Sequence, residues 1–114
     1  MKPKSNSKQA FENRVNELKY LGIKITPEFK FCETRKFRAD FMVEYKDKKC
    51  LLEYEGIFNV SKSRHTTGGG FSNDCEKYNI ASILGYPILR YTAKTYRNVT
   101  NDVINILGKS GDRS

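Results

Sequence analysis

Residues 37–57, FRADFMVEYKDKKCLLEYEGI, hold two strand patterns around a charged turn. In the first, Phe37, Ala39, Phe41, Val43 and Tyr45 alternate with Arg38, Asp40, Met42 and Glu44, which predicts a strand over 37–45. The second pattern predicts a strand over 49–57. A two-residue turn at Asp47-Lys48 places Asp40 opposite Glu55, and one at Lys46-Asp47 places it opposite Glu53. Either way Asp40, Glu53 and Glu55 share one sheet face, because side chains alternate with period two. An odd loop would pair Asp40 with Tyr54 and split the carboxylates. The apolar face of the first strand has to match Leu52 and Tyr54, which argues against that.

The flanking segments supply the rest of the fold. Ser7 caps a helix over 8–21, with Phe11, Val15 and Leu18 on one stripe and Gly22 as its stop. A strand is expected over 28–33, before the pair just described. Residues 58–70 read as a loop containing three consecutive glycines. Asn73 and Glu76 form a capping box for a second helix that ends at Gly85. Residues 87–92 (PILRYT) make a fourth strand, with its proline at the start. Val99, Val103, Ile106 and Leu107 mark a last helix over 97–108. The order α-β-β-β-α-β-α implies an α/β fold, a mixed sheet flanked by helices. One domain spans 1–114, with a core over 8–95, the C-terminal helix after it and frayed polar tails.

At 114 residues the chain can bury a core without disulfides or metal, and 38% hydrophobic content is too apolar for a disordered chain. No apolar run reaches the roughly 18 residues that span a bilayer, and MKPKSNSKQ has no apolar stretch behind it, so neither a membrane anchor nor a signal peptide is expected. Cys32, Cys50 and Cys75 have no CxxC spacing, which argues against a zinc site and for a reducing cytoplasm. A net charge of +8 favours a polyanionic partner, nucleic acid above all.

Three carboxylates on one face repel each other, and in a chain rich in cations they invite a neutralising partner. The bland reading pairs them with surface lysines and arginines. The alternative is a hard divalent cation: Mg²⁺ uses one or two carboxylates plus substrate phosphate oxygens. Asp40 in RADF, Glu53 and Glu55 in LLEYEG, and a following helix with Lys77 resemble the PD-(D/E)XK nuclease superfamily, whose restriction-endonuclease-like core is α-β-β-β-α-β. The small phage-type nucleases akin to the VRR-NUC and very-short-patch-repair groups are the most similar. The run from RHTTGGGF through NDCEKYNIASILGYPILRYT adds to the likeness, which covers roughly residues 8–95. The sequence departs from the pattern where the motif lysine is expected, which is Glu55 here.

The resemblance implies a Mg²⁺-dependent DNA endonuclease, with Mn²⁺ as a substitute. Asp40 and Glu53 would ligate the metal, and Glu55 or a backbone carbonyl would complete the shell. It also implies that Lys77 can stand in for the missing lysine. Lys77 shares a helix face with Ile80, Ala81 and Leu84, so its stem points to the sheet; a snorkelling ammonium in bulk water is the competing reading. Glu12, beside the Phe11 stripe, is a further metal candidate against a solvated surface role, with Glu17 as a weaker competitor. Arg35, Arg38, Lys62, Arg64, His65 and Arg90 are expected to contact DNA, Arg38 from the carboxylate face. The glycine run lacks the GK[ST] of a nucleotide-binding loop, so no nucleotide cofactor is expected. Cutting both strands, or a junction, would need a homodimer. The rival reading is a non-catalytic nucleic-acid-binding domain with a decayed site.

Overall fold

The computed structural model of the chain describes residues 6–56 and 69–108. Lys62, Arg64 and His65 lie outside the described residues. The elements are α1 (Asn6–Glu17), a 3-10 turn (Leu18–Leu21), β1 (Lys24–Lys30), β2 (Arg38–Tyr45), β3 (Lys48–Gly56), α2 (Gly69–Ile83), β4 (Ile88–Thr92) and α3 (Val99–Leu107). The sheet order is β1-β2-β3-β4; the first two pairings are antiparallel, and β3–β4 is parallel. The predicted mixed α/β sheet flanked by helices is therefore the observed architecture. Among the described residues no helix is long and apolar enough to cross a membrane.

Two apolar layers sandwich the sheet. On one face Phe11 and Val15 of α1 and Val99, Val103 and Leu107 of α3 close over Phe41, Val43, Cys50, Leu52 and Tyr91. On the other, Ala81 of α2 packs on Met42 and Leu51, with Phe31, Cys32 and Ala39. Burial pushes the Cys50 thiol up to about 12, so it behaves as a small apolar core side chain.

Three boundaries differ from the sequence reading. The first strand is Lys24–Lys30 rather than 28–33. Pro27 lies inside it, and because β1 is an edge strand, proline's missing N–H removes no ladder bond the sheet needs. Ser7 lies within α1 and Asn73 within α2, so neither is the cap expected of it. Glu76, the expected capping-box partner, instead ion-pairs with Arg35, which holds its carboxyl below the usual range.

The alternation of β2 also breaks. Phe41 and Val43 face α1 and α3, whereas Ala39 and Phe37 pack on the α2 side with Phe29 of β1. They were expected on the Phe41 face. Pairing runs from Lys24↔Glu44 to Lys30↔Arg38 but skips Glu28 and Asp40, and Glu28 adopts φ 50. That left-handed residue reverses the pleat, and Asp40 sits at the reversal.

Candidate active site

The hairpin turn is Lys46-Asp47, because Tyr45 pairs with Lys48 and Phe41 with Leu52. One further step of that register sets Asp40 opposite Glu53, the second of the two turns weighed from the sequence. The ladder ends at Phe41, and beyond it Oδ2 of Asp40 accepts the Tyr54 backbone N–H at 2.8 Å. A side chain thus replaces a strand–strand bond where β2 and β3 part.

Glu53 is buried, at 7% exposure, and it is the one charged residue in the core of the described chain. Desolvation pushes its carboxyl above the ordinary glutamate range; Lys77 pulls the other way, and the neighbouring charges of Asp40 and Glu55 add to the upward push. Lys77 of α2 donates to Glu53 Oε2, and the Tyr78 hydroxyl reaches Glu53 Oε1 at 3.2 Å. The same hydroxyl reaches Glu55 Oε2 at 3.1 Å, so its single proton is shared between two carboxylates. Arg90 of β4 donates from Nε to Glu55 at 3.0 Å and lies 4.2 Å from the centre of the Tyr78 ring. Lys77, Glu53, Tyr78, Glu55 and Arg90 thereby form one continuous polar network across α2, β3 and β4.

Asp40 opens elsewhere. It lines a cavity of about 290 Å³ with Lys8, Glu12 and Asn16 of α1 and with Glu28, floored by Phe11, Pro27 and Phe41. The expected common face therefore holds for Glu53 and Glu55, which share Tyr78. At Asp40 the pleat reversal turns the carboxylate toward α1. Glu12 is brought to the same cavity, ion-paired with Lys8 at 3.8 Å, while Glu17 is exposed.

Of the predicted DNA contacts, Arg35 is committed to Glu76 and lies over the Phe37 ring at 4.7 Å. Arg90 is committed to Glu55, and Arg38 is exposed. Tyr78 is the site residue that sequence reasoning missed. A tyrosine beside an apolar helical stripe reads as packing, and nothing in spacing shows that its hydroxyl meets two acids from β3.

Among the described residues no three acid, histidine or cysteine side chains gather closely enough to hold a metal by themselves. Asp40 and Glu53 offer hard oxygen donors from facing strands, which matches the one or two carboxylates Mg²⁺ commonly takes from a protein. No family model, curated protein or solved structure matches the chain.

Proposed function

We propose that the chain is a metal-dependent DNA endonuclease of PD-(D/E)XK type, with a restriction-endonuclease-like core. The observation that carries this reading is the Lys77 ammonium of α2 against the buried Glu53 carboxylate of β3, which faces Asp40 one register step beyond the last Phe41↔Leu52 pair. Taking a lysine–carboxylate pair out of water carries a desolvation penalty that often cancels its Coulombic gain, so such a pair is weak evidence of a purely stabilising role. The element order and sheet pairing add support, since the family core has the same α-β-β-β-α-β sequence.

Asp40 and Glu53, whose charges act on each other where β2 and β3 part, would hold Mg²⁺, or Mn²⁺ in its place, with Glu55 on the α2 side and Glu12 on the α1 side as further acids. Bound there, the ion would supply Lewis-acid charge and a water of lowered pKa. Lys77, held by Glu53, would orient that water and offset charge at the phosphate. Tyr78 and Arg90 keep Glu55 beside Glu53 against their mutual repulsion. DNA is the partner, favoured by the +8 charge, and a cut through both strands requires two copies of the chain.

The second reading, a nucleic-acid-binding domain without catalysis, is favoured by one observation: both oxygens of Glu53 are engaged by α2. Nicking of supercoiled plasmid separates the two. The nuclease nicks with Mg²⁺ and not with chelator. Asp40→Ala and Glu53→Ala should each lower the rate by about 100-fold or more while DNA binding persists. Wild-type rates in either variant sink the assignment.

A further inference from the structure

Among the described residues, the cations at the β1–β2 hairpin end have no carboxylate within ion-pair distance. Lys30 and Arg38 are directly opposite across the two strands, and both are exposed. Like charges facing each other across paired strands are unfavourable in themselves. Among the described residues the ion pairs are Lys8–Glu12, Arg35–Glu76, Lys77–Glu53 and Arg90–Glu55, so neither residue is neutralised. Lys36, also exposed, is a third unpaired cation of the same hairpin. Glu28, Glu33 and Asp40, the acids of the same two strands and their connection, form no ion pair with these three among the described residues.

The packing decides which way the pair points. Phe29, Phe31, Phe37 and Ala39 all lie in the α2-side layer, and the Phe31 and Phe37 rings stack at 6.3 Å and 19°. The alternate residues Lys30 and Arg38 therefore stand on the opposite face. That is the face on which Asp40 lines the cavity with α1. Arg38 is two residues from Asp40 on β2, about 7 Å along the strand. No strand covers β1 on its outer side among the described residues, so the approach to Lys30 is along a sheet edge.

We propose that Lys30 and Arg38, with Lys36 beside them, form a phosphodiester-binding surface that holds a nucleic-acid backbone next to Asp40. The proposal rests on the nuclease reading for its purpose. It changes the expected contact set: Arg35, committed to Glu76, drops out, and Lys30 and Lys36 enter. An anion between Lys30 and Arg38 turns their repulsion into shared attraction, and charge-assisted contacts to phosphate oxygens fix the register of a backbone without reading its sequence.

The test is the salt dependence of binding to a labelled short duplex DNA, read by fluorescence anisotropy in EDTA so that cleavage plays no part. Lys30→Ala and Arg38→Ala should each weaken binding and flatten the log–log slope by about 0.9, one phosphate contact. Lys30→Arg should restore the slope. Lys24→Ala, at the far end of the same strand, should leave it unchanged, and circular dichroism checks that every variant folds. Wild-type slopes in both alanine variants, or no binding by the wild type, overturn the surface. The two readings fail separately. Flattened slopes in a protein that never nicks plasmid with Mg²⁺ remove the nuclease and keep the surface. Nicking with unaltered slopes removes the surface alone.

Discussion

Glu53 concentrates the electrostatic tension of the molecule in one side chain. Its carboxyl is buried, pushed above the ordinary value of 4.5 by desolvation, and held by Lys77 and Tyr78. The sign of the resulting pH dependence follows from linkage. A raised folded-state pKa means the native state binds the proton more tightly than the unfolded chain does. The stability this provides is complete below about pH 4.5 and is lost as pH rises through the raised value. Glu53→Gln has no such proton to lose. Denaturant midpoints followed from acid to neutral pH should therefore show the wild type losing ground to Glu53→Gln as pH rises. A constant difference would mean that Glu53 titrates alike in both states. Candidate acids were legible in the sequence because charged residues at alternate strand positions stand out. Tyr78 was not, since its role depends on a hydroxyl meeting carboxylates from another element.

At the scale of elements, the contact between α2 and β3 combines an apolar seat with an ion pair. Ala81 packs on the Leu51 and Met42 layer, and one helical turn earlier Lys77 reaches Glu53. Lys77→Met keeps the apolar stem and strands a buried carboxylate. The side chains of Lys77 and Glu53 retain 18% and 10% exposure, so the expected cost is about 2 kcal/mol, below the roughly 3–5 of a fully enclosed pair. Adding Glu53→Leu should recover most of that loss, and urea midpoints for the two singles and the double measure the coupling. In the nicking assay Lys77→Met alone should fall by about 100-fold, the scale of a lost electrostatic or acid–base group, with Lys19→Met as the exposed control. Equal mild effects from both would return Lys77 to a packing role. The helix face of Lys77, Ile80 and Ala81 was legible from spacing. The fate of Glu76 was not, because in place of closing a capping box its carboxylate pairs with Arg35, 41 residues away in the chain.

For the whole molecule, α3 is built into the main hydrophobic core. Val99, Val103 and Leu107 are fully buried against α1 and the sheet. Burying three such side chains contributes about 5–9 kcal/mol, comparable with the roughly 5–15 kcal/mol net stability of a domain. A chain ended after Lys94 should show no cooperative thermal transition by circular dichroism or calorimetry. A sharp transition in that truncation would make the core self-sufficient without α3.

The sequence alone determined the element order, the helical stripes, the β2–β3 hairpin and the facing of Glu53 and Glu55, because these follow from local periodicity, which one chain segment specifies by itself. Tertiary structure decided the rest. It moved β1 toward the N-terminus by making it an edge strand that tolerates Pro27, and it reversed the pleat at Glu28 so that Asp40 faces α1. It also joined Lys77, Tyr78 and Arg90 to the two glutamates of β3. Spacing could not show these, since a left-handed residue breaks the period from which faces are counted, and hydrogen bonds between distant elements depend on how layers pack.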